Sequence, residues 1–207
     1  ADRMRAVIRP HYGITDRELE ILNGVGVVGI RFQASHGQNV DTSAGDMIRR
    51  VHELGWSAHF VYRPHQLEGW KDQIRNAPGT VVIEHTGYID VTKGKDSESY
   101  RFLCEMLDTG RAYVKLSSNY SRDHHIRPKM TPPFGDTVEL SRGIVEAYPD
   151  RVLYGSDWPH SKWNPKPSDA TLIDMLLHWA PEEELRRKIL VDNPEAAFGF
   201  PRWGGPG

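Results

Sequence analysis

Six short apolar runs recur along the chain, at residues 5–10, 27–32, 57–62, 80–85, 112–117 and 151–156. They read RAVIRP, VVGIRF, SAHFVY, TVVIEH, AYVKLS and RVLYGS. Each is rich in Val, Ile or aromatic residues, as expected of strands covered on both sheet faces. The intervals between them carry helical periodicity with readable ends. Thr15 and Glu18 form a capping box ahead of DRELEILN, and Gly24 ends that segment. Further helices are expected over 42–55, which closes on Gly55, and from Ser97 to Gly110. Two more patterns, SDATLIDMLLHWA and PEEELRRKIL, follow the last strand.

Six β-α units in series imply a parallel sheet, and with no linker or internal repeat the reading is one α/β domain over residues 1–207. No glycine-rich nucleotide-binding fingerprint follows any strand, which weakens an open nucleotide-binding sheet. The placement of polar residues favours a barrel. Arg31, Tyr62, His85, Ser117 and Asp157 all fall at or just past the carboxyl ends of expected strands. In a (β/α)8 TIM barrel that end is where active sites are built. Such a barrel has eight strands in about 250 residues. The expectation is therefore a barrel lacking its first two β/α units in this chain, about 60–80 residues at 30 or more per unit. With two open edges, the chain alone is expected to be poorly soluble or a homo-oligomer, and catalytically inactive.

Composition narrows the function. Lys and Arg number 26 against 28 Asp and Glu, a net charge of −2. That gives no electrostatic footprint for nucleic acid or an anionic membrane surface. The single cysteine, Cys104, sits in a helical pattern and reads as a small buried hydrophobe. Without a pair it fits a reducing compartment, and no apolar run approaches the length of a membrane span, so a cytoplasmic location is expected. Ten histidines are many for 207 residues and favour a hydrolytic or metal site.

Chemistry concentrates in RVLYGSDWPH and TVVIEH. A carboxylate at the end of a buried strand is costly unless partnered or used. His85 and Asp157 suit a base with an orienting partner, or two ligands of one metal. A capping Asp and a histidine satisfied by a loop carbonyl would explain the same residues without function.

GSDWPH, together with VVIEHTG, GVVGIRF, YVKLS and the closing DNPEAAFGF, resembles the amidohydrolase-related family, in its lactonase branch. The resemblance runs from about residue 5 to residue 200. It implies a (β/α)8 barrel in which Asp157 activates the attacking water and His85 stands beside it. The family's His-x-His motif is absent, in keeping with the strand count. The resemblance also implies substrate-binding roles for Arg31, Arg122, Tyr62 and His160, the last in the same loop as Asp157. A guanidinium grips a carboxylate through two parallel hydrogen bonds, so an anionic lactone is the expected small-molecule partner. Two positions depart from the dicarboxylate lactonases. QASHGQN and TGYID stand where that branch carries further basic residues, and His36 lies in the first.

Three functions follow. The leading one is metal-independent opening of a small, carboxylated lactone with no cofactor, the chain alone being expected to be inactive on lactones. The second keeps the fold and binds one divalent ion such as Zn²⁺ or Mn²⁺ at His85 and Asp157, for amide hydrolysis or decarboxylation. The third is a catalytically silent fragment or scaffold.

Overall fold

The computed structural model describes residues 4–9, 11, 13–33, 44–118, 135–160 and 166–202. Six strands form one parallel sheet in strict sequence order. They are β1 (Ala6–Ile8), β2 (Val27–Gln33), β3 (Ser57–Val61), β4 (Val81–Ile83), β5 (Ala112–Leu116) and β6 (Val152–Tyr154). Helices α1 (Asp16–Gly24), α2 (Ala44–Glu53), α3 (Leu67–Asn76), α4 (Glu98–Asp108) and α5 (Val138–Ala147) lie between successive strands. After β6 come α6 (Asp169–Asp174), α7 (Leu176–Trp179), α8 (Glu183–Arg187) and α9 (Asn193–Phe198). The order of connections is that of consecutive units of a β/α barrel, with β1 and β6 at its two ends.

The local signals act as read. Thr15 N–H donates to Glu18 Oε2 at 2.7 Å while Glu18 N–H donates to Thr15 Oγ1 at 3.3 Å, so the capping box satisfies two helix-start donors. Ser97 caps α4 through Tyr100 N–H at 3.2 Å. The pattern over 168–180 is expected to give one helix but is divided at Met175. Its apolar stripe survives the division, because Leu172, Met175, Leu176 and Trp179 are all buried.

Alternation splits the sheet residues between two environments. Ile30, Phe32, Ala58, Phe60, Val81, Ile83, Ala112, Val114, Leu116 and Val152 join helix residues in the main core. Within it Phe60 stacks on Phe32, centroids 5.4 Å apart, and meets the edge of Trp70. The opposite, inner face carries Val82, Tyr113 and Leu153 as a small apolar floor, packed by Ala197 and Phe198 of α9. Above that floor the inner positions are polar. No helix among the described residues is long and apolar enough to cross a membrane.

Candidate active site

The inner face is close-set because glycines open it. A Cβ on Gly29 would lie 2.7 Å from Ser57 Oγ and 3.1 Å from His59 Nε2. One on Gly155 would lie 2.8 Å from the Lys115 side chain and 3.1 Å from Ser117 Cβ. Either addition would push apart the polar groups packed there.

At the carboxyl ends the backbone turns sharply. Among the described residues, the non-glycine positions with positive φ are His85, Thr86, Tyr88, Ser118, Asp157 and His160. All six lie just beyond β4, β5 or β6. Left-handed backbone costs an ordinary residue about 1–3 kcal/mol and clusters at functional sites. Its effect here is directional. His85 follows Ile83 in strand parity and would face the helices if the strand continued. The turn, with φ +53° at His85, brings its ring to the inner face.

There His85 meets two partners. Arg31 Nη2 lies 3.1 Å from its Nε2, and Ser117 Oγ lies 3.0 Å from its Nδ1. Guanidinium nitrogens only donate, so Nε2 must accept, and Nδ1 carries the proton and donates to Ser117. Burial lowers the His85 pKa, opposed by the negative charges of Asp157 and Glu84 and reinforced by Arg31 and Lys115. The ring is therefore neutral near pH 7, in agreement with the bonding. Asp157 Oδ1 stands 3.9 Å from Nε2, and its side chain is 30% exposed against 9% for His85. A half-open carboxylate beside a fixed neutral imidazole can hold and deprotonate a small molecule entering from solvent.

A second layer lies beneath. Glu84 accepts from His59 Nδ1 at 3.1 Å and from Lys115 Nζ at 3.0 Å, both on Oε1. Its Oε2 is 3.1 Å from Arg31 Nε. The Nε hydrogen is not aimed at that oxygen, so this contact is an ion pair and not a hydrogen bond. Burial alone would raise the Glu84 pKa. The hydrogen bond from His59 and the charges of Lys115 and Arg31 outweigh it and hold the carboxyl well below the usual range. His59 is fully buried and its pKa is lowered, chiefly by burial.

The structure thus brings together Asp157, His85 and Arg31, while the side chains of Tyr62 and His160 have other surroundings. Tyr62 is 1% exposed within the main core, and its hydroxyl finds no hydrogen-bond partner among the described residues. Burial pushes that phenol's pKa upward. His160 is buried, with Nε2 3.0 Å from Asp169 Oδ1 at the start of α6. Arg122 and His36 lie outside the described residues. Glu84, His59, Ser57 and Lys115 join the site without any local sequence signal that marks them as functional.

The described arrangement does not fit a metal shared by His85 and Asp157. The lone pair such an ion needs on Nε2 already takes the Arg31 hydrogen bond, and the guanidinium would face the ion at close range. No cluster of three or more His, Cys, Asp or Glu suited to a metal occurs among the described residues.

An α/β half-barrel with its acid, imidazole and guanidinium at the strand ends is the architecture of barrel hydrolases. The chain belongs to the amidohydrolase family, whose model matches residues 4–200. It is 34% identical over 207 residues to the 4-sulfomuconolactone hydrolase of Rhizobium radiobacter, covering 95% of this chain and 67% of that one. It is 35% identical over 207 residues to the 2-pyrone-4,6-dicarboxylate hydrolase of Comamonas testosteroni, covering 93% and 66%. The chain spans about two thirds of the length of these curated relatives. Among solved structures, an apo Agrobacterium tumefaciens protein superimposes with a TM-score of 0.80 at 26% identity, over 96% of this chain and 71% of that one. The expected family and barrel class are therefore correct, with six strands of the barrel present in the described residues.

Proposed function

We propose that the protein hydrolyses a small lactone bearing anionic groups, with Asp157 as general base. The reading is carried by Asp157 and Arg31 meeting around a neutral His85 at the strand ends. The two hydrolase relatives act, by name, on a sulfonated lactone and on a pyrone dicarboxylate.

In this mechanism Asp157 accepts a proton from water as the water oxygen bonds to the lactone carbonyl carbon. The tetrahedral intermediate collapses by breaking the ring C–O bond, and Asp157 returns the proton to the departing oxygen. The product is a hydroxy acid or its keto form. Arg31 has N–H donors besides the Nη2 one turned to His85, and these hold an anionic substituent or the developing oxyanion. The family resemblance also gives Arg122 a substrate-binding role, as a second cation for an anionic group. His160 keeps the Asp157 loop against α6, and Tyr62 supports the site from the core.

The test is turnover of 4-sulfomuconolactone and of 2-pyrone-4,6-dicarboxylate, followed by ring opening, with Asp157→Asn alongside. Within a complete barrel, wild type should open at least one of them. The variant should fold normally and lose about 10²–10⁴-fold in kcat, the usual worth of a general base. Near-wild-type kcat in Asp157→Asn would remove Asp157 from the mechanism.

A further inference from the structure

Glu84 is a buried carboxylate on the inner face, and the reaction just described gives it nothing to do. It is 6% exposed and is approached by three groups, His59, Lys115 and Arg31. Behind it the contacts continue inward. His59 Nε2 lies 3.0 Å from Ser57 Oγ, and Phe198 of α9 stacks on the His59 ring at 5.8 Å. Stability alone is a poor reason for such a group. Buried ion pairs are commonly matched or bettered by apolar residues of the same volume.

The geometry offers another reason. Arg31 is constrained twice, by Nε facing Glu84 and by Nη2 on His85 Nε2. Its side chain is otherwise a third exposed, and a long guanidinium with only one anchor would turn toward solvent. Without Arg31 on Nε2, nothing described here forbids His85 from placing its proton on that nitrogen. Lys115, two residues before Ser117 on the same face of β5, keeps the Glu84 carboxylate from rotating away.

We infer that Glu84 is a positioning residue: acting through Arg31, it keeps the His85 ring in its Nδ1–H form with Nε2 unprotonated beside Asp157. The inference deepens the lactone reading and rests on it for its kinetic arm only.

The experiment uses full chain labelled with ¹⁵N in the histidine rings, comparing wild type, Glu84→Gln, Arg31→Met and the double variant. Wild-type His85 should show a protonated Nδ1 and an unprotonated, hydrogen-bonded Nε2 at neutral pH. Glu84→Gln should convert this into a mixture of both ring forms. Its kcat/KM on the lactone should fall about 10²-fold, as for a misplaced site group, with most of the loss in kcat. The double variant should be no slower than Arg31→Met, because both substitutions break one pathway. Glu84→Asp keeps the charge and withdraws it by one methylene. It should give a smaller change of the same kind, and it carries the test if Glu84→Gln does not fold. An unchanged His85 spectrum in both Glu84 variants, or additive losses in the double variant, would overturn the inference. A protein that turns over no lactone, yet whose His85 spectrum responds to Glu84→Gln, would overturn the proposed function and leave this inference standing.

Discussion

The two faces of the one sheet are built for opposite ends. The helix-side face is continuous hydrocarbon, with Phe60, Ile83, Val114 and Val152 each no more than 1% exposed. One residue away along the same strands, the inner face carries His59, Glu84 and Lys115, linked to one another through the Glu84 carboxylate. Hydrophobic burial on the first face stabilises the fold at roughly 25 cal/mol per Å². On the second, desolvating charged groups consumes part of that stability in exchange for fixed geometry. A parallel sheet covered on both sides can therefore divide its labour by strand parity alone.

The sharpest way to break this division is to damage one face and watch the other. Phe60→Ala removes the ring that contacts Phe32 and Trp70. It should cost about 3–5 kcal/mol in urea unfolding. The folded fraction should retain its kcat, because Phe60 points away from Asp157. A large fall in kcat of the folded protein would show that the faces are not independent.

A smaller effect concerns pH. His59 and His85 both have pKa values lowered in the folded state, first by burial, from an ordinary value of about 6.5. The unfolded chain then binds more protons than the folded one once pH drops below about 6.5, so stability rises with pH through that range. It is complete above about 6.5 and is lost as pH falls toward the lowered folded values. Glu84, depressed in the folded state, adds a loss of its own only below the ordinary carboxylate range near 4.5. His59→Gln should therefore flatten the decline in unfolding free energy as pH falls below about 6.5. An unaltered slope would mean that His59 does not titrate with unfolding.

The smallest expected change lies on neither face. Thr15→Ala removes the side-chain half of the capping box on α1. It should lower stability by about 1 kcal/mol, with no effect on turnover, measured by thermal unfolding. A loss several times larger would mean that α1 holds the sheet edge and not merely itself.

The same parity explains what the sequence did and did not disclose. The strands were legible because apolar runs between helix caps are strong local signals. Asp157 was legible because a carboxylate between glycine and proline after a buried strand has few structural uses. Arg31 was visible as a cation beside Phe32 in an apolar run. Tyr62 also stood at a strand end, but it shares the parity of Ala58 and Phe60, and that places it in the helix-side core. Counting by twos from Phe60 would have shown this. His59, Glu84 and Lys115 were hidden differently. Each is a polar residue within a run that reads as buried, and their meaning emerges only when the register sets β3, β4 and β5 side by side. Pairing across strands far apart in the chain is not a local property. His85 required a further step, because its left-handed backbone reverses the direction that alternation would assign.

In the proposed reaction Asp157 activates water and does not itself attack the lactone. Single-turnover hydrolysis in ¹⁸O-enriched water, with enzyme in excess over lactone, tests it most directly. With Asp157 as general base, one ¹⁸O atom should enter the new carboxyl group of the product during the first turnover and none the Asp157 side chain. Unlabelled product from that first turnover, with ¹⁸O recovered in the peptide containing Asp157, would make the residue a nucleophile and contradict the account.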